Sequence, residues 1–287
     1  MNPSEEWKLR VLASRAQQQP QQQIWSKMAA WYESWVLHND YVDQTLPYIL
    51  PFISPESRIL EVGPGTGAFT IPLARCCAGL VAVEPAPGMR DALQSNLDRN
   101  LLSNVCIHPD CIENSLRLLS HMGPFDLTLA SFALYNVEHI LPVLEELVDH
   151  SSQLIILLGT GESTDWSRSL YEQFVNAPHA VPPQLDCLQP LLTETDLQYE
   201  LQLLDCSNNY VFPDEGAMVD WWADRLRIKT EQYLHLQAAL ESLAEKRNGS
   251  IGIFSRRTIA LVTIQGRYAK IPSSFMQEKR LPQLNCV

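Results

Sequence analysis

The stretch Arg58-Ile-Leu-Glu-Val-Gly-Pro-Gly-Thr-Gly-Ala-Phe-Thr70 decides the fold. Arg58 to Val62 has the length and apolar character of a buried strand. Gly63-Pro64-Gly65-Thr66-Gly67 is a turn, and the pattern from Ala68 to Cys76 predicts a helix. Glycines let the backbone approach a ligand where a Cβ would collide. A helix start aims unpaired N–H groups back at that ligand. The next apolar run, Leu80-Val-Ala-Val-Glu84, ends in a carboxylate. A carboxylate at that strand end can accept both hydroxyls of a ribose. The expectation is a nucleoside-type cofactor.

The glycine spacing narrows the choice. A dinucleotide fingerprint runs G-x-G-x-x-G and faces a pyrophosphate. Here the order is G-x-G-x-G, with Glu61 just before it. An acid beside the loop repels a pyrophosphate and suits a cationic ligand with an α-amino group. The stretch resembles the first motif of the class I S-adenosylmethionine-dependent methyltransferases, an acid, a residue, then G-x-G-x-G. The resemblance covers roughly residues 25–158 and extends to two later segments. Asn104-Val-Cys-Ile-His-Pro-Asp-Cys-Ile112 looks like the third strand followed by its acid, and Phe125-Asp-Leu-Thr-Leu-Ala-Ser-Phe-Ala-Leu-Tyr135 looks like the fourth strand.

The resemblance implies a cofactor site. Glu61, Gly63, Pro64, Gly65, Thr66 and Gly67 would cradle the methionine part, and Glu84 would hold the ribose with Pro85 and Met89 beside it. Asp110 would accept from the adenine amino group, with Cys111 and Ile112 against the ring. Ala130, Ser131 and Tyr135 would lie under the sulfonium. Tyr32, in the aromatic segment Ala30-Trp-Tyr-Glu-Ser-Trp35, matches the position of a tyrosine that touches the methionine carboxylate. Asp110 reads equally as the cap of the following helix, and Tyr32 as part of a helix's buried face. Asp126, at the far end of its strand, reads as structural. The implied cofactor is S-adenosylmethionine and the product S-adenosylhomocysteine.

Apolar runs at Arg58–Val62, Leu80–Glu84, Asn104–His108, Leu127–Ala130 and Gln153–Leu158 alternate with helical patterns at Ala68–Cys76, Gly88–Asn100, Cys111–His121 and Pro142–His150. Alternation with apolar strands predicts a parallel sheet covered on both faces. Right-handed crossovers then bring every strand's carboxyl end to one edge. Glu61, Glu84, Asp110 and Ser131 fall at such ends. A helix at Trp166–Val175, a Pro-rich loop over Asn176–Pro190, a strand near Leu201–Leu204 and a last strand at Arg257–Ile264 complete the reading. The expected fold is α/β: a Rossmann-like, seven-stranded, mostly parallel sheet with helices on both faces, N-terminal helices, and a helical insertion before the last strand acting as a cap.

The organisation reads as a flexible leader over 1–23, including the Gln-rich run Gln17 to Gln23, with Trp7, Leu9, Val11 and Leu12 giving its first part the apolar surface for a helix. A helical lid over 24–54 and the S-adenosylmethionine-binding core over 55–160 follow. The remainder of the sheet occupies 161–268, with the cap at about 214–248, and 269–287 is a peripheral tail.

The chain has 287 residues and a formal net charge of −12. That charge argues against a nucleic-acid or anionic-membrane surface. The seven cysteines show no disulfide spacing and read as reduced thiols of a cytoplasmic protein. Cys106, His108 and Cys111 raise a metal question, but no second ligand pair follows, so no metal is expected. The amino terminus has no long apolar run, so neither a signal peptide nor a membrane span is expected.

Methyl transfer is an in-line displacement that needs donor and acceptor held in register. A hydroxyl or ammonium acceptor also needs a base. Tyr135 and His139 are the catalytic candidates, with Glu138 and His179 behind them. Each has a plainer reading: a cover for the sulfonium for Tyr135, first-turn positions for Glu138 and His139, and loop for His179. The segment Ser131-Phe-Ala-Leu-Tyr135 lacks the (N/D)-P-P-(Y/F) motif of the enzymes that methylate DNA bases and amides. A small, partly apolar acceptor is expected. The alternatives are a nucleotide-dependent oxidoreductase and a non-catalytic S-adenosylmethionine-binding protein.

Overall fold

The computed structural model describes residues 2–17, 21–161, 166–175 and 179–268. Its elements in chain order begin with α1 (Pro3–Gln17), α2 (Gln21–Leu37) and α3 (Tyr41–Ile49). The alternating core follows: β1 (Arg58–Val62), α4 (Thr70–Ala74), β2 (Gly79–Val83), α5 (Pro87–Arg99), β3 (Val105–His108), α6 (Ile112–Met122), β4 (Leu127–Ser131), α7 (Ile140–Asp149) and β5 (Gln153–Gly159). Then come α8 (Trp166–Val175), α9 (Leu185–Thr193), β6 (Tyr199–Ser207), β7 (Tyr210–Phe212), α10 (Glu215–Leu226) and α11 (Tyr233–Leu243). The strands β8 (Glu245–Arg247), β9 (Ser250–Ile253) and β10 (Arg256–Gln265) close the described chain.

Seven strands form one sheet in the order β3-β2-β1-β4-β5-β10-β6. β1 to β5 run parallel, and β10 lies antiparallel between β5 and β6. This is the expected Rossmann-like α/β sheet. Successive side chains leave a strand on opposite faces, so Leu60, Val62, Ile156 and Val262 pack under α1, α6, α7 and α9. Ile59, Leu129, Ile155 and Leu261 pack under α2, α3, α4 and α5. Both faces are covered, which is why the strands read as continuous apolar runs.

β1 has β2 on one side and β4 on the other. The chain reverses its winding direction there, and a crevice at such a switch point is where open α/β sheets bind ligands.

Four expectations need correction. The polar composition suggests a flexible leader, yet α1 is a packed helix. Trp7 and Val11 are fully buried in the core, and the Trp7 indole N–H donates to the Val137 carbonyl at 2.7 Å. An i, i+4 pair of buried residues is enough to hold a helix against a sheet layer despite polar neighbours. Residues 18–20 of the Gln-rich run lie outside the described residues, and α2 starts at Gln21.

The helix after the glycine loop is shorter than the pattern predicts. It starts at Thr70, because turns occupy residues 65–69.

The segment read as a Pro-rich loop ends in α9. Leu185, Leu188, Leu191 and Leu192 are buried there, and Pro190 sits inside the helix. Apolar burial outweighs the lost backbone hydrogen bond. Residues 176–178 of that segment lie outside the described residues.

The insertion before the last strand is not purely helical. β7, β9 and β8 form a separate three-stranded antiparallel sheet, packed with α10, α11 and α8 around Met218, Trp222, Leu236 and Ile251. The expected tail over 269–287 lies outside the described residues.

Candidate functional site

The carboxyl ends of β1, β2 and β4 converge on the glycine loop. Gly63 leaves β1 with φ +66 and donates to the Val83 carbonyl at 2.9 Å. A Cβ on Gly63 would lie 2.6 Å from the Ala133 Cβ, just past β4. Gly65 has φ +59, and a Cβ there would lie 3.2 Å from the Tyr32 ring. Both positions therefore demand glycine, one for packing beneath the loop and one for approach from above.

Glu84 ends the second strand's run and is buried. Its Oε2 accepts from the Gly65 N–H at 3.1 Å, and its Oε1 accepts from the Ala86 N–H at 2.9 Å. Burial raises its pKa, opposed by the two amide hydrogen bonds and by the Arg90 charge. Arg90 in turn donates to the Glu84 and Pro85 carbonyls at 2.9 and 2.8 Å, which fixes the turn into α5. Met89 is buried on that helix.

Glu61 lies below the loop, with 1% of its surface exposed. It accepts from the Thr70 hydroxyl at 2.7 Å. Burial pushes its carboxyl up to about 7, against the pull of that hydrogen bond and with a further push from the Glu84 charge.

Over the loop stands α2. The Tyr32 hydroxyl is 3.2 Å from that of Tyr41. Its ring stacks on Trp35, with centroids 5.9 Å apart, and meets Trp25 edge-on at 6.0 Å. Desolvation raises its pKa. Helix α2 reaches α5 at Ser26, whose backbone leaves no room for a side chain at Gly88.

The other sequence-derived residues divide. Ala130 is buried within β4 beside Val62, and Ser131 is half-buried at the strand end. Tyr135 follows in a 3-10 turn over Leu134–Asn136. Burial pushes its hydroxyl far up, so it stays protonated, and the charges of Tyr32, Glu84, Arg225 and Arg257 all bear on it. A hydroxyl held in that form does not serve as a base at neutral pH. Asp110 accepts from the Cys111 N–H at 2.8 Å and from Asn114 Nδ2 at 2.9 Å. It thus orders the start of α6, where Ile112 is buried, and its hydrogen bond with Asn114 lowers its pKa.

His139 is turned to solvent, 3.7 Å from Glu138, with 69% of its side chain exposed. Glu138 is held by Lys8 at 3.2 Å and Arg15 at 3.6 Å. Glu138 therefore serves the docking of α1. The His179 ring lies 4.5 Å from that of Tyr171. The structure gathers Tyr32, Glu61, the glycines, Glu84 and Tyr135, and it sets His139 apart.

Sequence reasoning missed one wall of this site. Phe132 takes φ +51 directly after β4, a conformation that costs a bulky residue strain and clusters at functional sites. The Arg257 guanidinium stands over its ring at 4.7 Å and over Trp35 at 5.2 Å. Trp221 of the insertion stacks on Trp31 of α2 at 4.6 Å. The visible signals were the doubled Arg256-Arg257 and Trp221-Trp222, and neither spacing reveals a partner.

These features fit an adenosyl cofactor. The loop offers bare backbone, the strand-end acid faces it, and an aromatic ring lies across it. Residues 59–152 match the family model described as a methyltransferase domain. The chain carries a class I methyltransferase domain. The methyl donor of such domains is S-adenosylmethionine, and the product is S-adenosylhomocysteine.

The chain is 38% identical over 112 residues to ribosomal RNA small subunit methyltransferase A of Geobacter metallireducens, a match over 36% of this chain and 38% of that protein. It is 28% identical over 139 residues to magnesium-protoporphyrin O-methyltransferase of Rhodobacter capsulatus, over 46% of this chain and 60% of that one. The chain thus spans little more than a third of the length of the ribosomal RNA relatives it matches. The crystal structure of the YcgJ protein from Bacillus subtilis superposes with a TM-score of 0.52 at 15% identity, over 78% of this chain and 99% of that one, which shows the shared fold.

Among the described residues, no helix is long and apolar enough to cross a membrane. No group of three or more His, Cys, Asp or Glu gathers there to hold a metal ion.

Proposed function

We propose that this protein transfers a methyl group from S-adenosylmethionine to a small, partly apolar acceptor. The observation that carries the reading is the buried Glu84 carboxylate, held against the Gly65 N–H at the switch point of the sheet. In that position it can receive ribose hydroxyls while the loop receives the methionine part. Glu61 supplies a second acid for the α-amino group, and Tyr32 a hydroxyl for the carboxylate.

Bound S-adenosylmethionine brings an already activated leaving group. What remains for the protein is to orient, to exclude water and to stabilise developing charge. Tyr135 remains a hydroxyl donor facing the transfer zone. The insertion, joined to α2 through Trp221 and Trp31, forms the cap over that zone.

The small-molecule reading rests on two points. The match to the ribosomal RNA enzymes covers little more than a third of this chain, and the insertion outside the methyltransferase domain contributes a cluster of aromatic side chains, Tyr210, Trp221 and Trp222. The net charge of −12 opposes a polyanion. The six described cysteines are all free, in keeping with a reducing compartment such as the cytoplasm.

Calorimetric titration with S-adenosylhomocysteine tests the site. The unmodified chain should bind in the micromolar range. Gly65→Val should abolish binding, because the side chain meets the Tyr32 ring at a left-handed backbone position. Glu84→Ala should weaken it by about 1–3 kcal/mol. Equal affinity in all three proteins would remove the assignment.

A further inference from the structure

Outside the cofactor core, α10 ends on a residue that its backbone does not favour. The Ile228 N–H donates to the Ala223 carbonyl at 2.9 Å, and the Arg227 N–H donates to the Asp224 carbonyl at 3.2 Å. This pair of bonds closes a helix on one left-handed residue, a position that glycine fills at least cost. Here Arg227 fills it, with φ +52. Strain of this kind clusters where a ligand uses the residue.

The turn also sorts its side chains. Leu226 and Ile228 pack on the apolar cluster of the insertion. Arg225, Arg227 and Lys229 are exposed and line an open cavity of about 500 Å³. Most of the remaining wall comes from α8 and the end of α1. Tyr171 and Phe174 give it aromatic rings. Gln17 ties that wall together, because its Oε1 accepts from the Tyr171 hydroxyl at 3.2 Å and from the Ala180 N–H at 2.9 Å.

Among the described residues the lining holds three cations and no acid, although Asp224 and Glu231 stand close by in the sequence. In a chain of net charge −12 this is a local reversal of sign, and a concave positive surface concentrates anions. The dipole of α10 accounts for Arg225, in its last turn. It does not account for Arg227 and Lys229 beyond the helix end, or for the cavity beside them. All of these residues lie outside 59–152, the span that matches the methyltransferase domain.

We propose that this cavity binds a phosphate monoester with an apolar or aromatic body, as a second ligand besides the methyl donor. A phosphate monoester carries close to two negative charges at neutral pH, where a carboxylate carries one. Two guanidinium forks and an ammonium match its oxygens in geometry and charge. The rings of Tyr171 and Phe174 match the body. A cavity of this size suits a small organic molecule rather than a bare ion.

The probes are phenyl phosphate, inorganic phosphate and phenol, each titrated calorimetrically into the full chain. Phenyl phosphate should bind about tenfold or more tightly than either of the others, since each lacks half of what is recognised. Arg225→Gln and Lys229→Gln should each weaken it by about threefold or more, the share of an exposed charged contact. Arg227→Gly separates ligand from fold. It should raise the thermal midpoint of the unligated chain, because glycine relieves the left-handed backbone, and yet weaken phenyl phosphate. Saturating S-adenosylhomocysteine should not displace phenyl phosphate.

The proposal falls if phenyl phosphate binds no more tightly than phenol or inorganic phosphate, or if the three variants bind it as the unmodified chain does. A lowered thermal midpoint in Arg227→Gly overturns it too, because the arginine would then serve the fold. Displacement by S-adenosylhomocysteine overturns it, because the phosphate would then be reading the donor site. An oligoribonucleotide that binds through the same three residues more tightly than phenyl phosphate would assign the surface to RNA and overturn it as well. None of these outcomes bears on the donor, which S-adenosylhomocysteine binding to the unmodified chain tests by itself.

Discussion

Glu61 is the residue whose chemistry departs furthest from its free form. It is buried, hydrogen-bonded to Thr70, and its carboxyl is raised from 4.5 to about 7. A raised pKa in the folded chain means that the fold takes up a proton the unfolded chain releases. The sign follows: this stabilisation is complete below about pH 4.5 and is lost as the pH rises through about 7. Denaturant unfolding at about pH 5 and about pH 8 should show a loss at the higher pH on the order of 3 kcal/mol or less. Glu61→Gln should flatten that difference, and parallel pH slopes in the two proteins would refute the assignment. Glu61, Glu84 and the glycines were legible in the sequence because their demands are local: a bare backbone position and an acid at a strand end. Arg257 was not, because the rings of Phe132 and Trp35 come from distant parts of the chain and only packing brings them against it.

Among the elements, α1 shows how far a short apolar strip reaches. Trp7 and Val11 lie one turn apart and enter the core beneath α7 and α9. The Trp7 hydrogen bond to Val137 and the Arg10–Asp186 pair at 2.7 Å complete the attachment. Trp7→Ala should destabilise the fold by about 3–5 kcal/mol, the usual cost of deleting a buried aromatic, read as a shift in the urea midpoint. A change below about 1 kcal/mol would mean that α1 is only loosely attached. The apolar residues of this helix were legible, but composition hid its docking, since glutamines and charges dominate its neighbourhood, and prolines hid α9. The strands of the parallel sheet were legible because burial on both faces leaves no polar position to blur the pattern.

For the whole molecule, the glycine loop and Glu84 belong to the central sheet, so ligand bound there reports on global unfolding. S-adenosylhomocysteine at a hundredfold excess over its Kd should add about 2.7 kcal/mol to stability, seen as a rise in thermal midpoint that grows with concentration. A midpoint indifferent to ligand would place binding elsewhere or nowhere. The scale of the insertion was legible as an interval too long for a hairpin turn. Its small sheet was not, because β8 and β9 are too short and too polar or Gly-broken to read as strands.

Ser207 and Arg256 face each other across β6 and β10. The next pair outward is buttoned twice, by Asn208 N–H to the Ser255 carbonyl and by the Ser255 hydroxyl to the Asn208 carbonyl, both at 2.8 Å. Everything from Asn208 to Ser255 therefore departs and returns through a single doorway. Descendants of this chain could trade that whole parcel for another, and so acquire new clientele, while the machinery that grips the donor stays as it was.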